Sequence, residues 1–259
     1  MYEFEHPGQP TTLRVGGFKT YFNDSCLDDL LTDKDGKFHT LATSGRGILS
    51  RNIPLLELPN TNGARERKYT YPPRNIAVKF LISDRTNEGF RSRLNELNRL
   101  LLGERKKLQF SDEQAYFWAT FQTADLPEEI SNTLVGTLNF LCSDPAKYRE
   151  KHELQLTRTF ANYEINGYSQ STWTSRTVFS AETVNFTLEN EKGGKIVLNY
   201  TFGENDVLEI DYEKRLIKLN GVARMPLLSL DSNWFNLQPG VNRLRASHAT
   251  TVTYRETYY

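Results

Sequence analysis

The pattern that most restricts this chain is alternation with a period of two, repeated in short runs and cut by turn residues. Ile76, Val78, Phe80 and Ile82 fall on one face of an extended segment, and Leu134, Gly136, Leu138, Phe140 and Cys142 repeat the pattern. Successive strand residues point to opposite faces, so this spacing gives each segment one apolar face and calls for a sheet. Pro72 and Pro73 have no amide hydrogen to give to a ladder, which starts the first of these strands at about Arg74. Residues 107–110 and 115–123 read as two more strands joined by a tight connection. One stretch changes period. Phe90, Leu94, Leu97 and Leu101 are spaced by four, three and four, and Gly103 follows as a stop, which predicts one helix over about 86–102. Asp84 is the candidate cap, and the single apolar stripe is suited to lie on a sheet.

The second half reads as β throughout. A strand is expected over 153–160, and 183–190 joins 195–200 through Glu191-Lys192-Gly193-Gly194. Residues 207–212 and 216–219 form a second hairpin around Glu213-Lys214-Arg215; residues 234–237 and 241–246 form a third through Gln238-Pro239-Gly240. A last strand covers 250–254, and no helix longer than a turn or two is visible. Pro145 and the polar residues 146–151 read as a linker, which divides the chain into domains 1–145 and 146–259. Short strands at regular intervals between Gly, Asn and Pro turns make the fold mainly β, a sandwich or barrel in each half.

Composition removes several classes of function. Of the 259 residues, 32 are Lys or Arg and 32 are Asp or Glu, and the balance holds along the chain, with 18 of each up to residue 143 and 14 of each after it. A phosphate-binding protein shows a basic stripe or half, so direct nucleic-acid binding is not expected. The short basic clusters, Arg65-Glu66-Arg67-Lys68 and Arg105-Lys106-Lys107, read as solvated loop or helix ends. No run approaches the apolar length of a membrane span, and residues 1–7 have neither the basic nor the apolar region of a secretory leader. Cys26 and Cys142 are too far apart in sequence to form a metal knuckle and read as small apolar residues.

No catalytic set emerges. His6, His39, His152 and His248 have no partner at metal-ligand or catalytic spacing, and no nucleophile elbow or phosphate loop is present. Gly45-Arg46-Gly47 reads as a turn. Adjacent acids such as Asp112-Glu113 point to opposite faces of a strand and nominate no glycosidase pair. No catalytic residue, metal ligand or cofactor is therefore assigned.

Two features stand outside the sheet pattern. Residues 44–73 mix turn formers (Gly45, Gly47, Pro54, Pro59, Asn62-Gly63) with apolar anchors at Ile53, Leu55, Leu56 and Leu58. Such a segment is either a long hairpin packed on its own domain or an arm reaching a neighbouring subunit, where its edge can pair. The second feature is Trp118, Trp173 and Trp234. Core or interface packing accounts for all three, but Trp173 lies in the polar run 167–176 and is the candidate for stacking on a sugar ring.

Taken in order, these features resemble a family. The arm ends in Asn62-Gly63, Tyr71-Pro72-Pro73-Arg74 leads into Ile76-Ala77-Val78-Lys79-Phe80, and Leu97, Leu100 and Leu101 lie in the helix. The Lys107-Leu108-Gln109-Phe110-Ser111-Asp112-Glu113 hairpin and the strand ending Phe140-Leu141-Cys142-Ser143-Asp144-Pro145 follow. This half resembles the N-terminal domain of the distal tail proteins of long, flexible-tailed bacteriophages. Leu208-Glu209-Ile210-Asp211-Tyr212, Leu219-Asn220-Gly221 and Phe235-Asn236-Leu237-Gln238-Pro239-Gly240-Val241-Asn242 resemble that family's C-terminal domain.

The resemblance implies a sandwich- or barrel-like, tail-tube-type domain with one α-helix, followed by a galectin-like β-sandwich. It implies a non-enzymatic virion protein with no cofactor and no membrane anchor. Copies would form a homo-hexameric ring, single or stacked, at the distal end of the tail tube. The ring would contact the major tail tube protein on one side and the tail-tip or tail-lysin hub on the other, with a receptor-binding protein attached, while DNA passes the lumen without specific binding. On that view Ile53, Leu55, Leu56 and Leu58, with Tyr69 and Tyr71, are the candidate inter-subunit contacts. The alternative is a carbohydrate-binding module that reads a host cell-wall glycan through Trp173.

Overall fold

The computed structural model describes residues 17–259, so the expectations resting on residues 1–7, including His6, lie outside the described residues. The chain divides into two compact units, the first ending at Pro145 and the second running Ala146–Tyr259. Each has its own apolar core. The fold is mainly β, as the alternation requires.

The first unit runs β1 (Thr20–Phe22), β2 (Ser25–Cys26), α1 (Leu27–Leu30), β3 (Gly36–Ser44), β4 (Leu55–Glu57), β5 (Ala64–Glu66), β6 (Arg74–Asp84), α2 (Asn87–Leu100), β7 (Lys106–Phe110), β8 (Tyr116–Asp125) and β9 (Thr133–Cys142). Its main sheet is antiparallel in the order β3-β6-β9-β8-β7-β1-β2. The β6–β9 ladder is continuous from Arg74↔Cys142 to Ser83↔Thr133. Every second residue on it turns inward, leaving Ile76, Val78, Phe80, Ile82 and Phe140 fully buried. Strands β1 and β3, distant along this path, are bridged by side chains. The buried Asp28 carboxylate accepts from the amides of Thr20 (2.9 Å) and Thr40 (2.7 Å), and the two threonine hydroxyls lie 2.8 Å apart. Asp28 sits on α1, a second helix where only one was expected. Four residues are too few to display a helical period.

Helix α2 carries the predicted stripe, with a different cap. The Thr86 hydroxyl accepts from the Gly89 amide at 3.0 Å, whereas Asp84 accepts from the Thr86 amide (2.9 Å) and from Arg93 Nε (2.8 Å). Phe90, Leu97 and Leu101 are buried, but Leu94 is only half-buried. Arg93 takes a place on the buried side, where its guanidinium also donates to the Leu31 carbonyl at 2.7 Å and to Asp33.

The second unit is a sandwich. It contains β10 (Lys147–Leu156), β11 (Ala161–Ile165), β12 (Trp173–Val178), β13 (Thr183–Asn190), β14 (Lys195–Phe202), β15 (Val207–Asp211), β16 (Leu216–Leu219), β17 (Val222–Ala223), a 3-10 turn at Met225–Leu227, β18 (Gly240–Ala246) and β19 (Thr250–Tyr258). One sheet runs β17-β16-β15-β12-β19-β10 and the other β11-β18-β13-β14. Trp173, Leu208, Ile210 and Val252 from the first meet Phe186, Leu188, Ile196 and Leu244 from the second in one core. The hairpins β13–β14 and β15–β16 stand where the turns placed them.

Three expectations for this unit are corrected. Residues 147–151 open β10 instead of forming a linker. Strand β18 pairs with β11 and β13, so residues 234–237 are not its hairpin partner; they are irregular and touch Ser171 through an isolated Ser171↔Leu237 bridge. Strand β12 begins inside the polar run 167–176, where Trp173 was the candidate for sugar stacking, and is central in its sheet.

Candidate assembly surface

The segment 44–73 leaves the first unit through an anchored root. Gly45 has φ +83°, and a Cβ there would stand 2.0 Å from the Asn75 carbonyl oxygen, so the close approach of the two backbones demands glycine. Arg74, 3% exposed, lies beneath it. Its Nη1 donates to the carbonyls of Gly45 (2.9 Å) and Gly47 (3.1 Å), its Nε donates to Pro145 (2.9 Å), and its guanidinium lies 5.1 Å from the Phe117 ring. Burial pushes this guanidinium below the ordinary arginine value, the opposite of what a facing carboxylate does. Arg46 adds a two-pronged pair with Asp112, at 2.8 and 2.9 Å, while lying over Phe110 at 4.4 Å.

Beyond the root the chain forms a two-stranded hairpin. The Asn52↔Thr70 bridge leads into β4 and β5, which pair Leu55↔Glu66, Leu56↔Arg65 and Glu57↔Ala64. The turn uses left-handed Asn60 (φ 60°) and Gly63 (φ 81°). Among the described residues these two strands pair only with each other, so both outer edges keep unpaired backbone groups there. Leu55 is 61% exposed, Ile53 43%, Tyr69 42% and Leu56 37%, while Leu58 and Tyr71 are half-buried. Tyr69 meets Tyr71 edge-on at 5.5 Å, with Arg51 4.6 Å above the Tyr69 ring. The six anchors named from the sequence thus share one hairpin. Arg74 and Arg46, which hold it, were missed, since a charged residue beside prolines or glycines reads as solvated.

Trp173 lacks the exposure that stacking on a sugar would require. It is 2% exposed, its Nε1 donates to the Phe235 carbonyl at 2.7 Å, and its ring packs against Phe235 and Tyr212. A ring enclosed on both faces offers no platform to a sugar. Among the other aromatics, Trp234 packs half-buried against the same core.

Chemistry remains sparse among the described residues. No group of three or more His, Cys, Asp or Glu side chains is placed to hold a metal ion. His248 meets Ser247 Oγ and the Phe179 ring, His152 meets Glu256, and His39 is half-buried on β3. Both cysteines are free, and burial pushes the Cys142 thiol up to about 12, far from a reactive thiolate. Among the described residues no helix is long and apolar enough to cross a membrane.

Comparison with known proteins connects both β units to phage tails. A family model described as the phage tail protein RIFT-related domain matches residues 31–142, and one described as the siphovirus-type tail component, C-terminal domain, matches residues 166–258. The distal tail protein of Bacillus phage SPP1 is 28% identical over 222 residues, covering 83% of this chain and 88% of that protein. The crystal structure of that phage's Dit protein, described as a paradigm of the hub adsorption apparatus in phages infecting Gram-positive hosts, superposes with a TM-score of 0.83. That match has 22% identity and covers 93% of this chain and 99% of the other. A chain of the phage P2 baseplate in its activated conformation has the same fold at lower similarity, with TM-score 0.54, 8% identity, and coverage of 92% and 97%. Both units thus match domains of phage tail proteins, the chain is similar over most of its length to a distal tail protein, and its place is the tail of the virion.

Proposed function

We propose that this protein is a non-enzymatic hub subunit whose first unit assembles into a hexameric ring, single or stacked, at the distal end of the tail tube. The ring contacts the major tail tube protein on one side and the tail-tip or tail-lysin hub on the other. The second unit supplies outward attachment for the tip and the receptor-binding protein, and duplex DNA passes through the lumen unheld. The observation that carries this reading is the arm: an exposed apolar hairpin with two unpaired edges, rooted by two arginines in a sealed core. A monomer gains nothing from exposing Ile53, Leu55 and Leu56, whereas a ring closed by rotation covers such a surface at every interface.

The test is the solution mass of the purified chain by light scattering, with negative-stain images of the same sample. A hexamer or a pair of hexamers around a central hole is expected. The double variant Leu55→Ala/Leu56→Ala removes about 3 kcal/mol of apolar burial per interface, which raises the concentration needed for assembly by about a hundredfold. The variant is expected to stay folded, because both side chains are exposed in the single chain. A ring of unchanged mass and concentration dependence in that variant removes the arm from the interface.

A further inference from the structure

The first unit also carries a surface that complements the arm. Helix α2 and the end of the β8–β9 hairpin enclose a groove of 280 Å³. Its floor is apolar: Phe80, Leu94, Leu97, Leu101, Phe121 and Leu138. One wall is the exposed loop 125–130. An Arg91–Glu129 ion pair of 2.5 Å ties that loop to α2, and Leu126 lies over Gly136, where a Cβ would meet Leu126 Cδ2 at 2.6 Å. This explains why Leu94 is only half-buried: it faces the groove. The loop leaves Leu126 and Ile130 exposed beside Asp125, Glu128 and Glu129, with no basic residue among positions 125–130. The arm has the opposite sign. Residues 51–70 hold Arg51, Arg65, Arg67 and Lys68 against only Glu57 and Glu66. Arg65, Arg67, Lys68 and Glu128 are exposed and make no ion pair among the described residues.

We infer that the α2 groove of the first unit receives the arm of a second copy of this chain. This rests on the ring reading and adds the receiving surface to it. A heterologous ring needs two different, complementary patches on each subunit, and these two are apolar at their centres and opposite in charge. From the Asn52↔Thr70 bridge to its turn the hairpin has about eight residues on each side, which at roughly 3.3 Å per residue reaches about 26 Å, enough to cross to a neighbour. Leu55 or Leu56 fills the groove beside Leu94, and the arm's basic residues face Glu128.

The double variant Leu56→Cys/Asn98→Cys tests this in the full chain. Asn98 lines the groove mouth and is exposed, as is Leu56. Mild oxidation is expected to give a ladder of cross-linked oligomers on a non-reducing gel, absent from either single-cysteine variant. A ring of normal mass with no ladder overturns the docking and leaves the ring reading standing. Absence of self-association in the unmodified chain overturns both. If the cysteines themselves block assembly, the charge reversal Glu128→Lys decides. It is expected to raise the half-assembly concentration by about fivefold, with recovery to within about twofold on adding Arg67→Glu. No effect of Glu128→Lys overturns the docking.

Discussion

Glu256 is a carboxylate that the second unit keeps charged while 95% of it is out of water, since it is only 5% exposed. Burial alone would raise its pKa, but Tyr258 Oη donates to it at 2.7 Å, and the Arg149 guanidinium and the His152 ring stand beside it. Together these outweigh burial and hold the carboxyl below its ordinary value of 4.5. A lowered folded-state pKa means the folded chain binds its proton later than the unfolded one. The stabilisation is fully present above the unfolded value, near 4.5, and is lost as pH falls through the folded value. Glu256→Gln is therefore expected to cost about 1–3 kcal/mol at pH 7, because it leaves a buried partner set without its anion. The gap between variant and parent closes as pH drops below about 4.5. Urea midpoints of the two proteins from pH 7 to pH 3 read this directly, and a gap independent of pH refutes it. Nothing in the run Arg255-Glu256-Thr257 signals such a role, since two of its partners, Arg149 and His152, come from β10.

At the scale of elements, legibility followed where the apolar atoms sit. Strands β6 and β9 were plain because their inward positions are Ile, Val, Phe and Leu, and β13–β14 because a glycine turn joins two such runs. Strand β12 was invisible because two of its inward positions, Ser175 and Thr177, are polar; Thr177 is satisfied by Thr250 Oγ1 at 2.8 Å. A buried threonine pair looks like solvent in sequence. Residues 234–237 failed in the opposite way, since Trp, Phe and Leu alternate there without a ladder partner of the expected kind. In α2 the stripe was legible but its depth was not. Leu97 is buried against β6 and its neighbours, whereas Leu94 opens into the groove. Leu97→Ala is expected to cost about 2–5 kcal/mol, and Leu94→Ala about half as much, as fits a side chain already half in water. Comparable losses at the two positions, measured by urea unfolding, rule out an open groove. Of the candidate site, the arm's anchors were legible as apolar residues among turn formers. Its grip was not, because Arg74 and Arg46 meet partners 71 and 66 positions away.

At the scale of the molecule, two cores fix how the chain comes apart. Leu97, Phe80 and Phe140 belong to one cluster, Trp173, Phe186 and Leu198 to the other, and no residue is shared. Sites without common partners add independently, so Leu97→Ala is expected to lower one unfolding transition by about 2–5 kcal/mol and Trp173→Ala the other by about 3–5 kcal/mol. Assembly separates the two further. A partner that binds only the folded state stabilises by mass action, so a ring built through the arm raises the stability of the unit that carries it. The transition sensitive to Leu97→Ala is therefore expected to move up with protein concentration, by about 1.4 kcal/mol of apparent stability for each tenfold tightening of effective binding. The transition sensitive to Trp173→Ala is expected to stay fixed. Leu55→Ala/Leu56→Ala, which touches neither core, removes the concentration dependence of the first transition without altering its low-concentration limit. If the second transition also moves with concentration, the sandwich takes part in the ring and the division of labour between the two units fails.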